Sequence, residues 1–82
     1  MVKAIVYEVG NDGQQNKVCV LEMRTGVVVP TSNRPLGSFV LSRPVVDPAG
    51  RKITVEDGEE FLRALPAAYS GSRVRVGLKE TQ

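Results

Sequence analysis

Histidine is absent from this 82-residue chain. That removes the usual general base, the usual activator of a catalytic Ser or Cys, and the commonest zinc ligand. Cysteine occurs once, at Cys19, so no internal disulfide can form. Its setting among Val18, Val20 and Leu21 is that of a small buried hydrophobe rather than a nucleophile. Tryptophan is missing, and only Tyr7, Phe39, Phe61 and Tyr69 are aromatic, a thin supply for stacking on nucleic-acid bases. No apolar run is long enough to span a bilayer. The opening MVKAIVYEV has neither the long apolar stretch nor the small-residue cleavage site of a secretory signal. A cytoplasmic protein outside the membrane is expected, with no enzyme activity, no metal and no cofactor. No catalytic, cofactor-binding or metal-ligating residue is assigned.

What the chain does have is 41 % hydrophobic residues with no long polar tract, enough for one globular domain spanning residues 1–82. A domain this small buries only about 60 % of its unfolded-chain surface, so modest stability and a stabilising partner subunit are expected. The net charge is +2, unevenly distributed. Residues 31–54 carry Arg34, Arg43, Arg51 and Lys52 against Asp47. The next segment carries Glu56, Asp57, Glu59 and Glu60 against Arg63, and the tail carries Arg73, Arg75 and Lys79 against Glu80. Such segregation creates an oriented field unless the fold brings the blocks together.

Residues 2–9 form a nearly continuous apolar run rich in β-branched side chains, which predicts a central strand buried on both faces. A mobile loop over residues 10–16 (GNDGQQN) leads to a second strand at residues 17–24. There Cys19, Leu21 and Met23 alternate with Val18, Val20, Glu22 and Arg24. Thr25 and Gly26 permit reversal into Val27, Val28 and Val29, stopped by Pro30, and complete a meander. The Pro, Gly and small polar residues of 30–38 predict another loop, with a strand resuming at residues 39–41. Asp47, Pro48, Ala49 and Gly50 suit a type I turn between Val45–Val46 and Ile53–Val55, a second short hairpin.

Thr54 is a fit N-cap, with Asp57 completing an approximate capping box for a helix over about residues 55–69. The acids of its first turns are favoured by the helix dipole. Phe61, Leu62, Leu65 and either Ala68 or Tyr69 form its apolar stripe. Pro66 predicts an end or kink near Leu65, and Gly71 a left-handed stop. A last strand at residues 73–78 has the option of pairing beside the first, though the sequence leaves strand order and register open, and residues 80–82 fray. The fold class is α+β: one small domain whose mostly antiparallel or mixed sheet of about four to six strands is covered on one face by one helix.

Two binding readings follow. Arg73, Arg75 and Lys79 project from one side of the last strand and, joined by Arg51 and Lys52, are candidate ligands for phosphates or nucleic acid. The bland alternative is that they keep an exposed strand soluble or pair with the acidic helix. Val27, Val28, Val29, Phe39, Val40 and Leu41 are short apolar strands suited to self-association as a homodimer. The stretch RTGVVVPTSNRPLG (residues 24–37), under a fifth of the chain, resembles the strand, proline and arginine pattern of swapped-hairpin DNA-binding domains in bacterial transition-state regulators. The longer remainder departs from those short domains, and no family is assigned. The leading expectation is a small non-enzymatic, bacterial-type binding protein that self-associates, and the alternative is a nucleic-acid-binding accessory protein.

Overall fold

The computed structural model describes residues 2–31 and 44–80. Four strands form one antiparallel sheet: β1 (Val2–Val9), β2 (Gln15–Arg24), β3 (Val27–Pro30) and β4 (Val74–Glu80). Their order is β3-β2-β1-β4, so the last strand does pair beside the first, and β1 is central. One helix, α1 (Glu59–Ala68), packs against β1 and β4. The fold is thus α+β, a small sheet with a helix on one face. The strand expected at residues 39–41, including the candidate self-association residues Phe39, Val40 and Leu41, lies outside the described residues.

Local chemistry accounts for the turns. Thr25 and Gly26 both take positive φ (49° and 79°), the two-residue type I′ geometry whose twist matches that of its flanking strands. The first hairpin closes earlier than expected. Gln14 N–H donates to Asp12 Oδ1 at 3.0 Å and Gly10 N–H to the Gln14 carbonyl at 2.9 Å. The reversal is therefore complete by residue 14, and β2 begins at Gln15 rather than Lys17. At the second turn Gly50 N–H donates to the Asp47 carbonyl at 2.9 Å. That hairpin adds no strand to the sheet: it holds a single bridge, Val46 with Lys52, because Val45 and Ile53 turn inward to the core.

The helical start also divides. Thr54 N–H donates to Asp57 Oδ2 at 2.8 Å, as the capping box requires, but this caps a short 3-10 turn, Val55–Asp57. Gly58, at φ 63° and ψ −115°, then re-aims the chain into α1, a conformation costly for any residue with a Cβ. Pro66 neither ends nor interrupts α1, which runs on to Ala68. The one helical bond it deletes is that to the Leu62 carbonyl, and at the end of the helix the bond from Tyr69 N–H to the Leu65 carbonyl forms at 3.1 Å. Burial of Leu65 and Tyr69 keeps the last turn on the sheet.

The core lies between sheet and helix. Val2, Ala4 and Val6 of β1, Cys19 and Leu21 of β2, and Val28 of β3 meet Phe61, Leu62, Leu65 and Tyr69, with Val45 and Ile53 closing the side. Each Val, Leu, Ile or Phe among them contributes about 1.5–3 kcal/mol when fully buried. The expectation that β1 is buried on both faces needs correction. Lys3, Ile5 and Tyr7 are only half-buried, because no described helix lies on their side of the sheet.

Candidate anion-binding face

Strand register decides which charges share a surface, since directly opposed residues project to the same side of a sheet. Lys3 of β1 stands opposite Glu22 on β2 and Lys79 on β4, and Tyr7 opposite Lys17 and Arg75. Ile5 lies between Val20 and Gly77, and Val29 of β3 opposes Glu22. All of these project away from α1, whose apolar stripe sits on the side of Ala4 and Val6.

A bulge enlarges the charged surface. Between Val6 and Tyr7 the β1–β2 register slips by one residue, and an extra residue on one strand inverts the alternation beyond it. Val18 packs toward the core together with Cys19, and Lys17 joins the open side instead. By simple alternation Lys17 would have belonged with Cys19.

The result is a face bearing Lys3, Lys17, Arg24, Arg75 and Lys79, with Glu22 as its acid among the described strand residues, and with the exposed Arg73 just ahead of β4, where its carbonyl accepts from Val9 N–H at 2.7 Å. Glu22 is engaged by Arg24 at 3.5 Å. Arg75 donates from Nε to the Ser72 carbonyl at 2.8 Å, which fixes its stem. No carboxylate partner of Lys3, Lys17, Arg73, Arg75 or Lys79 is found among the described residues. Lys3 and Lys79 are directly opposed, with Cα atoms about 5.5 Å apart in such a hydrogen-bonded pair, an arrangement that costs stability. The centre of the face is aliphatic, formed by the half-buried Ile5, Val20 and Val29.

The acidic helix does not neutralise this surface, because it lies on the opposite side of the sheet. The one ion pair between α1 and β4 among the described residues has the reverse polarity. Arg63 of the helix donates to Glu80 at 3.0 Å and to Glu59 at 3.4 Å, and the Glu80 hydrogen bond leads the causes that raise the Arg63 pKa. The exposed Glu56, Asp57, Glu59 and Glu60 are therefore held apart from the cations, and the molecule is polarised across its sheet.

Of the residues singled out from sequence, Arg75 and Lys79 fall together and exposed on this face, with Arg73 exposed just ahead of β4. Arg51 and Lys52 do not join them. They lie on the hairpin beside α1, where Arg51 is held by Asp47 through a backbone N–H bond and a side-chain bond, each 2.8 Å. The same backbone bond is the largest cause lowering the Asp47 pKa from its ordinary value of 3.8. A groove of about 630 Å³ separates this hairpin from α1, walled by Val46, Ile53, Ala64 and Ala67. Among the self-association candidates, Val28 is in the core, Val29 is half-buried and Val27 is 51 % exposed. Sequence reasoning missed Lys3, Lys17, Arg24 and Tyr7, whose membership needs the register and the bulge.

No described helix is long and apolar enough to cross a membrane. Among the described residues, no cluster of three carboxylate or thiol side chains suited to a metal is found. No family model, curated protein or solved structure matches the chain.

Proposed function

We propose that the protein is a small non-enzymatic binding protein whose working surface is the open sheet face and whose partner is nucleic acid. The single observation that carries this reading is the cluster of Lys3, Lys17, Arg75 and Lys79 on one side of the sheet without carboxylate partners among the described residues. Lys3 has Glu22 opposite it on β2, but solubility alone does not call for Lys79 to be set against it on the other side. A polyanion relieves that repulsion, and release of its counterions drives association. The arginines add planar forks suited to phosphate oxygens.

The test is fluorescence anisotropy with labelled DNA and RNA strands at about 50 mM salt, where such contacts are strongest. Roughly four phosphate contacts give a slope of log K against log salt of about −3. The double change Arg75→Gln with Lys79→Gln removes about 1.4 from its magnitude. Absence of binding to single- and double-stranded DNA and RNA at low salt overturns the proposal.

Self-association is the second reading, and Val27, half exposed on the edge strand β3, is the observation that favours it. Pro30 opposes it, since its outward-facing position on β3 offers no N–H to a neighbouring strand. Pairing β4 with its own copy about Gly77 sets Arg75 opposite Lys79, again cation against cation. A dimer seen by sedimentation and abolished by Val27→Lys supports the second reading; a monomer at high micromolar concentration removes it.

A further inference from the structure

We infer that the ligand of this face is single-stranded, and that Tyr7 forms the platform on which one unpaired base stacks. The inference rests on the nucleic-acid reading above and names the form of nucleic acid that the same face takes. Tyr7 is the one aromatic among the described residues of the open side, and it stands between Lys17 and Arg75 in register. Its ring reaches diagonally to Gly77, where a Cβ would lie 3.8 Å from Tyr7 Cε2. Glycine lets the ring settle toward the β4 backbone, an aromatic covering a glycine within a sheet. The ring remains half-buried rather than enclosed, so part of it still meets solvent.

Beside it opens a recess of about 300 Å³ that reaches past β4 to the helix side, lined by Tyr7, Gln15, Arg75 and Gly77 and also by Val76 and by Pro66, Tyr69 and Ser70 at the end of α1. The recess thus joins an aromatic surface, an amide able to both donate and accept, and a guanidinium. Those are the groups that hold a splayed-out base with its adjoining phosphate. The bases of a duplex are stacked on one another and offer no free ring face. Ile5, Val20 and Val29 extend the apolar strip along the sheet, which suits neighbouring unpaired bases rather than a phosphate-lined groove.

Three probes of similar charge separate the alternatives: an unstructured oligothymidylate, a hairpin duplex and inorganic polyphosphate. The wild-type chain is expected to bind the single strand at least tenfold more tightly than the other two. The chain has no tryptophan and two tyrosines, and since Tyr69 also lines the recess, it is the part of the tyrosine quench lost in Tyr7→Leu that reports stacking on Tyr7. Tyr7→Leu should weaken single-strand binding about tenfold, reduce the quench, and leave the salt slope and polyphosphate binding unchanged. Gly77→Val keeps the ring but fills the recess, should weaken the single strand similarly, and favours strand structure. Thermal melts by circular dichroism confirm that both variants fold. Equal binding of all three probes, or unaltered single-strand affinity in folded Tyr7→Leu, overturns the stacking inference and leaves the anion-binding reading standing. Failure of every probe at low salt overturns both.

Discussion

The two faces of the sheet follow opposite rules. Toward α1 the strands present Val2, Ala4, Val6, Cys19 and Leu21, all within 2 % of complete burial, and buried polar residues are absent among those described. Away from α1 the same strands present Lys3, Lys17, Arg75 and Lys79 around a half-buried aliphatic centre. The first face is explained by stability alone. On the second, Glu22 is the acid among the described strand residues, Lys3 and Lys79 are opposed across the strands, and the acids of α1 remain on the far side, so folding gains little from the arrangement. That asymmetry separates a surface that holds the protein together from one available for another task.

The largest expected effect tests whether the two faces differ in energy at all. Phe61→Ala should destabilise the domain by about 3–5 kcal/mol, since it empties a site in the middle of the core. Ile5→Ala should cost less, about 1–2 kcal/mol, because that side chain is only partly buried. Denaturant unfolding measures both. Equal costs would break the comparison, making the open face a second core rather than a binding surface.

Much of this was legible from sequence because it depends on local chemistry. The Thr54–Asp57 cap, the stripe of Phe61, Leu62 and Leu65, the Thr25–Gly26 reversal and the α+β class all follow from periodicity and turn residues, whereas the choice between Ala68 and Tyr69 and between an antiparallel and a mixed sheet does not. Pro66 was misread because tertiary packing of Leu65 and Tyr69 outweighs one missing helical bond. The candidate site was half legible: Arg75 and Lys79 share one strand, and strict alternation puts them on one side. Lys3 and Lys17 come from other strands, and the bulge beyond Val6 reverses the face on which Lys17 falls. Arg51 was misplaced for the converse reason, since its i−4 bond to Asp47 ties it to its own hairpin. Charges near in sequence are easy to group; charges brought together by register are not.

A smaller effect asks whether stability is sacrificed on the open face. Lys79→Glu replaces a like-charged cross-strand neighbour of Lys3 with an opposite one, a gain of about 0.2–1 kcal/mol. In a domain of this size that raises Tm by up to about 4–8 °C. The same change should weaken nucleic-acid binding. A variant that melts higher and binds less sharpens the contrast between the faces, whereas one that melts lower shows that Lys79 supports the fold.

The smallest effect places the acid sensitivity of the fold on the helix side. The pKa of Asp47 is lowered in the folded protein, first by the Arg51 backbone N–H and then by the Arg51 side chain. A carboxyl group whose folded pKa is depressed contributes stability that is fully present above its unfolded value, here near 3.8, and lost as pH falls through the folded value. Asp47 is half-buried but its partner Arg51 is exposed, so the ion pair is screened and the contribution is small. Asp47→Asn should therefore lower stability slightly at neutral pH and flatten part of its decline below pH 3.8. Arg75→Gln and Lys79→Gln, which remove charges with no carboxylate partner among the described residues, should leave that acid limb in place. Urea unfolding across the acid range distinguishes them. If the two open-face changes flatten the limb as Asp47→Asn does, their cations are paired in the folded protein, and the division of labour between the faces fails.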